Sequence, residues 1–202
     1  MHILSGGKLL LATRNRAKVR EYSRLLRGIP YTIISLQDVG IDEEVEETGD
    51  TFEENAVLKA KTYAKLSGLV TMADDSGLEV DALGGAPGVL SARYAGDGAT
   101  DEERIAFLLA NMADIAWQNR EARFRCVIAI SSPDGDVELC QGTCPGVITF
   151  EPRGENGFGY DPVFYLPDRD CTMAELSLEE KNEISHRGRA AGEARRLLMR
   201  AV

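Results

Sequence analysis

Histidine is scarce, at two residues, and the four cysteines, Cys126, Cys140, Cys144 and Cys171, form no CxxC pair. A zinc site therefore lacks ligands at familiar spacing, and reduced thiols in a cytoplasmic protein are the expected state. No apolar run approaches the roughly 20 residues of a membrane helix. Met1 to Gly7 lacks the basic start and long apolar core of a secretory leader. There is no internal repeat, low-complexity tract or Pro/Ser linker, and no composition shift marks a boundary. One domain over residues 1–202 is expected. Basic charge is also in deficit, with 23 Lys and Arg against 33 Asp and Glu and a net charge of −10. That argues against a nucleic-acid or membrane-surface binder. An anionic small substrate would need local basic groups or a metal to overcome the field.

Hydrophobic residues make up 44% and charged residues 28%, enough for a soluble fold with a core. The pattern alternates strands and helices. Lys8 to Ala12 reads as a buried strand, Ala17 to Leu26 as an amphipathic helix and Tyr31 to Ser35 as a second strand. Thr51 and Glu54 have capping-box spacing and open a helix to about Ser67, stopped by Gly68. Val70 to Ala73 reads as a short strand ending at Asp74, and Leu78 to Val80 as its resumption after a turn. Gly84 to Gly88 cannot be regular. A second box, Thr100 and Glu103, opens a helix through about Met112. Phe124 to Ser131 and Val137 to Cys144 flank the turn Pro133–Asp136 as a hairpin. Glu151 to Pro162 is Gly-rich and irregular. A third box, Ser177 and Glu180, opens a short helix. The last helix, from about Ser185, carries Ala190, Ala191, Ala194, Leu197, Leu198 and Ala201 at helical spacing. The class is α/β, with parallel pairing early and an antiparallel portion late.

Five segments hold groups suited to chemistry. Thr13-Arg14-Asn15-Arg16-Ala17-Lys18 follows a strand and starts a helix, where free N–H groups and the helix dipole favour an anion. It reads either as a phosphate cradle, with Lys18 as a mobile charge, or as an ordinary N-cap with a basic face. Asp74-Asp75-Ser76-Gly77 closes a strand. Adjacent carboxylates repel unless a cation intervenes, and Mg²⁺ suits oxygen ligands and phosphates. One carboxylate would ligate the metal and the other would orient or deprotonate water; the alternative is a polar turn. The acidic run Asp42 to Glu47 is a solvated loop in the main, with Glu47 the candidate to complete a metal site. Gly157-Phe158-Gly159-Tyr160-Asp161-Pro162 suits close approach to a planar base, with Phe158 to stack and Asp161 to accept hydrogen bonds, or is a tight turn capping the core. Lys181 with Ser185-His186-Arg187 makes a donor-rich surface, or a helix cap with exposed basic residues.

These segments fall in an ordered series: TxNxxK from Thr13, EETGxTFxENAxxKA at Glu46 to Ala60, ADDSG at Ala73 to Gly77, LGGAPGVxSARY at Leu83 to Tyr94, GFGYDPxF at Gly157 to Phe164 and EKNxISHRG at Glu180 to Gly188. The series spans almost the whole chain and resembles the inosine triphosphate pyrophosphatase family, which removes XTP, ITP and dITP. The resemblance implies an elongated, two-lobed α/β fold with a curved mixed central sheet flanked by helices and a deep substrate cleft. It also implies a Mg²⁺-dependent homodimer that releases monophosphate and pyrophosphate. On matching positions it implies that Thr13, Arg14, Asn15, Arg16, Ala17 and Lys18 bind phosphate and that Asp75 is general base and metal ligand. Glu47 is a second ligand and Ser76 a substrate contact. Phe158, Gly159, Tyr160, Asp161, Lys181, His186 and Arg187 are implied to bind base and ribose. Asp74 joins Asp75 and Glu47 as a metal candidate, and Lys18 joins Asp75 in catalysis. Arg14 stands where many members carry Gly. Arg tolerates positive φ poorly, so the departure implies an altered loop or an added phosphate contact. The same residues would also suit a pyrophosphatase for other nucleotides in a related fold, or a nucleotide-binding module without catalysis.

Overall fold

The computed structural model describes residues 7–200. The leader expectation on Met1 to Gly7, apart from Gly7, and the helical expectation for Ala201 lie outside the described residues. The chain is α/β, with a seven-stranded mixed sheet flanked by helices. The strands are β1 (Lys8–Leu11), β2 (Thr32–Ser35), β3 (Val70–Val80), β4 (Glu121–Ser131), β5 (Val137–Ile148), β6 (Phe164–Leu166) and β7 (Cys171–Thr172), in the order β2-β1-β3-β4-β5-β6-β7. β1 pairs parallel with β2 and with β3, while β5–β6 and β6–β7 are antiparallel. β1 lies between two neighbours, so Leu9, Leu10 and Leu11 are all buried and no alternation appears.

The helices are α1 (Arg16–Leu25), α2 (Phe52–Ser67), α3 (Asp101–Asn111), α4 (Leu178–Ile184) and α5 (His186–Arg200). The three capping boxes read from the sequence open α2, α3 and α4, each with both reciprocal hydrogen bonds. Gly68 ends α2 at φ 68°, where a side chain would be strained. A fourth box, Thr172 with Glu175, opens only a 3₁₀ turn.

Two expectations need correction. β3 does not stop at Asp74: it runs unbroken for 11 residues, so the Asp-Asp-Ser-Gly segment is strand and not a turn. The parallel pairing with β1 ends at Met72, and the two aspartates lie beyond it. Continuation is favoured because Leu78 and Val80 are fully buried and the Leu78 N–H donates to Ser91 Oγ at 2.9 Å. The hairpin is also longer, with β5 reaching Ile148.

The chain divides into two compact units. The first comprises 1–75, 126–142 and 187–202, the second 76–125 and 143–186. Each has its own core. In the first, Leu9, Leu11, Met72, Ile128 and Ile130 pack with Tyr22 of α1, Leu26 at its C-cap and Ala190, Ala194 and Leu198 of α5. The alanines on α5 are fully buried, which lets its backbone approach closely. In the second, Leu78, Val80, Leu108, Met112, Phe124, Val163 and Phe164 form the centre.

Candidate active site

In the first unit, the segment before α1 is held by its own side chains. Thr13 Oγ1 accepts from the Asn15 N–H at 3.2 Å, and Asn15 Oδ1 caps the helix by accepting from the N–H groups of Ala17 at 2.9 Å and Lys18 at 3.2 Å. The N-cap alternative therefore holds at Asn15, and the cap also fixes where Lys18 leaves the helix. Arg14 does not take positive φ; among the described residues Asp170 is the only non-glycine that does. Its guanidinium turns instead to the carbonyls of Glu43 at 3.2 Å and Ile41 at 3.5 Å. A cavity of about 590 Å³ lies against this loop, bounded by Thr13, Arg14, Arg16, Arg20, Gln37 and Asp42.

Lys18 Nζ meets Asp74 Oδ2 at 2.8 Å. Arg187 Nε stands 3.9 Å from the same oxygen, and its Nη1 donates to Glu21 Oε2 at 3.3 Å. Successive strand residues face opposite sides, so Asp75 points elsewhere. Its Oδ2 accepts from Asn55 Nδ2 at 3.1 Å, and its Oδ1 is 3.9 Å from Lys59 Nζ. That ammonium also donates to the Asp74 carbonyl at 2.7 Å and to Glu47 Oε1. Asn55 and Lys59 are one turn apart on α2, on the face turned to Asp75.

The adjacent aspartates are pushed in opposite directions. Burial alone would raise Asp74, but Lys18, Arg187 and Lys59 outweigh it and hold its carboxyl below the usual range. Asp75 is raised: burial dominates, the nearby Glu47 charge adds to it, and Lys59 only partly offsets them. Burial opposes the charge on Lys59, yet Asp75, Asp74 and Glu47 lift it above an ordinary lysine. Carboxylates driven apart in this way divide into a fixed charge and a group able to take a proton.

The donor set fits a hard cation. The Glu47 and Asp75 carboxylates and the Asp74 carbonyl converge on one positive charge, here the Lys59 ammonium. Among the described residues, no three Asp, Glu, His or Cys side chains gather closely enough to cage a metal alone. An ion held by one or two carboxylates and completed by substrate phosphates and water matches the habit of Mg²⁺. Asp74 already serves Lys18 and Arg187, which leaves its carboxylate the poorest of the three expected ligands.

The second unit assembles another cluster. Asp161 Oδ2 accepts from Lys181 Nζ at 2.6 Å and from the Phe158 N–H at 2.9 Å, and both charged side chains are only 3% exposed. Lys181 Nζ also lies 4.7 Å from the centre of the Phe158 ring. Gly157, at φ 78°, is required here: a Cβ would collide with the Asp161 carboxylate. The Gly159 N–H donates to Asp101 Oδ2 at 2.7 Å, and the Tyr160 hydroxyl to the Ser91 carbonyl at 2.9 Å. Ser76 is half-buried, next along β3 after Asp75. A cavity of about 470 Å³ borders Phe158, lined also by Asp101, Ile105, Leu109 and Pro152.

The expected donor-rich surface at His186 and Arg187 is not at the surface. His186 is 2% and Arg187 6% exposed. The His186 ring stacks on Phe124 with centroids 4.7 Å apart and planes at 17°. Arg187 is drawn inward by Glu21 and Asp74, which raise its pKa against the effect of burial. It thus joins the Lys18–Asp74 group of the first unit, while Phe158, Asp161 and Lys181 form a group of the second. Lys59 and Asn55 were not singled out from the sequence. The signal was there in ENAxxKA, which sets an amide and an ammonium at i and i+4.

A parallel-stranded α/β core with opposed carboxylates past the strand pairing, a nearby lysine at a helix start and a hard-oxygen donor set defines a protein of phosphate-ester or anhydride chemistry. The Ham1 family model matches residues 9–197, and the chain belongs to that family. The dITP/XTP pyrophosphatase of Bacillus licheniformis is 50% identical over 96% of this chain and 99% of the relative. That of Geobacter sulfurreducens is 52% identical over 91% and 92%. A solved HAM1 protein from Coxiella burnetii superposes with a TM-score of 0.89 at 45% identity, covering 96% of this chain and 98% of that one.

Proposed function

We propose that the chain hydrolyses aberrant purine nucleoside triphosphates (dITP, XTP and ITP) to the monophosphate and pyrophosphate, keeping them out of DNA and RNA. The carrying observation is the cluster in which Lys18 meets Asp74 at 2.8 Å while Asp75, Glu47, Asn55 and Lys59 gather beside it. The names of relatives at about half identity over nearly the full chain support the same activity.

Asp75 is the base. Burial and Glu47 raise its carboxyl, which suits it to take a proton from the attacking water. Asn55 holds one of its oxygens and so leaves the other directed at the reaction. The water oxygen bonds to the α-phosphorus as the bond to the bridging oxygen breaks, and pyrophosphate leaves with that electron pair. Lys18, steered by Asp74, receives the tail; Thr13, Arg14, Asn15, Arg16 and Ala17 shape the loop that presents it. Glu47 and Asp75 would hold Mg²⁺, with Asp74 as a third candidate; when bound, the ion neutralises phosphate charge and lowers the pKa of a water. No covalent intermediate is needed.

In the second unit, Phe158 offers a ring face, Lys181 and His186 offer donors, and Asp161 accepts; Gly159, Tyr160 and Ser76 support them. Arg187 contributes through Asp74 and Glu21. Hypoxanthine and xanthine carry an acceptor at position 6 where adenine carries a donor. A donor-lined site rejects the amine because buried polar groups would go unpaired. The enzyme is further proposed to be a single-domain homodimer of the cytoplasm, acting on free nucleotides and not on nucleic acid or membranes.

A panel of dITP, XTP, dGTP, dATP and dTTP with Mg²⁺, products resolved by anion exchange, tests the proposal. Preference for dITP and XTP with pyrophosphate release is expected; release of single phosphates, or preference for dTTP, overturns it. Asp75→Asn is expected to keep the fold and lose at least ~10³-fold in turnover, the scale of removing a group the transition state needs.

A further inference from the structure

The segment from Ile41 to Gly49 has no regular secondary structure and carries Asp42, Glu43, Glu44, Glu46 and Glu47. Five carboxylates in so short a stretch repel one another and favour an expanded loop. Glu47 nevertheless stands within reach of Lys59, so something must hold the chain against that repulsion. At the far end Asn55 does so, accepting from the Gly49 N–H at 2.8 Å and donating to its carbonyl at 3.3 Å. At the near end two donors converge on the Glu43 carbonyl: Tyr63 Oη at 2.9 Å and Arg14 Nη2 at 3.2 Å, with Arg14 also 3.5 Å from the Ile41 carbonyl. A carbonyl has two lone pairs, and these two donors fill them. Tyr63 belongs to α2, Arg14 to the loop that starts α1. The backbone on either side of Arg14 is fixed by the Thr13–Asn15 hydrogen bond and the Asn15 cap.

We propose that Arg14 is a positioning residue, fastening the acidic loop to the phosphate loop and thereby setting where the Glu47 carboxylate stands. The proposal rests on the reading of Glu47 as a cation ligand. Arg suits the task because the two N–H groups of its Nη2 face two carbonyls at once, and its charge offsets the repulsion of the acidic run. The guanidinium is exposed, so its contribution falls on the loop and not on the core.

The test is Mn²⁺ binding to the nucleotide-free protein, followed by the electron paramagnetic resonance of the free ion, in wild type, Arg14→Ala, Arg14→Lys, Tyr63→Phe and Glu47→Gln. Losing one charge-assisted tether is expected to weaken binding about 3- to 10-fold in Arg14→Ala at unchanged Tm. Tyr63→Phe should weaken it by a similar factor and Arg14→Lys by less. In turnover, Arg14→Ala should raise the half-saturating Mg²⁺ concentration by a similar factor. If Glu47→Gln loses Mn²⁺ affinity but Arg14→Ala binds like wild type, the tether is refuted and the ligand assignment stands. Complete recovery in Arg14→Lys would also refute it, since charge alone would then suffice. Wild-type binding in Glu47→Gln would overturn the ligand assignment itself, and the proposal with it.

Discussion

Replacing Arg120 with Met is expected to unfold the second unit far more readily than any surface change. Arg120 is 1% exposed. Its Nε donates to the Ile148 carbonyl at 2.7 Å, Nη1 to those of Met112 at 2.8 Å and Ile115 at 3.2 Å, and Nη2 to that of Thr149 at 2.9 Å. Its guanidinium also lies 4.5 Å from the centre of the Phe150 ring. Among the described residues no carboxylate pairs with it, and burial lowers its pKa. Two effects oppose each other in Arg120→Met. Four carbonyls each lose a charged donor, at about 1–2 kcal/mol apiece, or roughly 4–8 kcal/mol together. Removing an unpaired buried cation recovers a few kcal/mol of desolvation. The lost hydrogen bonds win, and a net loss of about 3 kcal/mol remains, a large share of a stability of about 5–15 kcal/mol. With a urea slope of about 3 kcal/mol/M, the midpoint falls by about 1 M. Fluorescence of Trp117, the sole tryptophan, reads the transition three residues from the substitution. A midpoint within about 0.3 M of wild type would refute the claim that these carbonyls depend on Arg120.

Gly77→Ala places a Cβ 2.5 Å from the Gly88 carbonyl oxygen and against Ser91. A loss of about 1–3 kcal/mol in urea denaturation is expected, and an unchanged midpoint would contradict that packing. Iodoacetamide at pH 8 should modify Cys171 alone in the native protein and all four thiols in guanidinium, counted by mass spectrometry. Cys126, Cys140 and Cys144 are buried, and burial pushes Cys126 up to about 12 and Cys140 to about 11, which suppresses the thiolate. Glu180 is held below the usual carboxylate range by the Ser177 hydroxyl and N–H. A depressed folded pKa gives stability that is complete above the unfolded value of about 4.3 and is lost as pH falls through the folded one. Glu180→Gln should therefore lower Tm at pH 7 and narrow its gap from wild type near pH 3; a constant gap would remove the carboxylate from the account.

Helix starts were the most legible part of the sequence because they are local. Thr51, Thr100 and Ser177 each sit three residues before a Glu, and each pair closes a reciprocal cap. Thr172 and Glu175 have the same spacing, but the following turn is too short to betray a helix by periodicity. β3 was harder. Asp, Ser and Gly are poor strand formers, and only the burial of Leu78 and Val80 and the seat for Gly77 against Ser91 carry the strand through. A shared site for Lys18 and the Asp74–Asp75 couplet was expected from the resemblance, and Lys18 pairs with Asp74. The inward turn of Arg187 was not, because its partner Glu21 is 166 positions away and no local pattern joins them. Likewise strand alternation was available in principle to separate Asp74 from Asp75, but a turn expected at that point hid it.

The Arg187 link to Glu21 and Asp74 has a consequence for biosynthesis. Translation reaches Arg187 more than a hundred residues after Glu21 and Asp74, so the arginine that bridges the two acids arrives late. A nascent chain halted before residue 187 would hold Lys18, Glu21 and Asp74 yet lack the guanidinium that bridges the two acids. The bridge between α1 and β3 thus closes only once α5 is present.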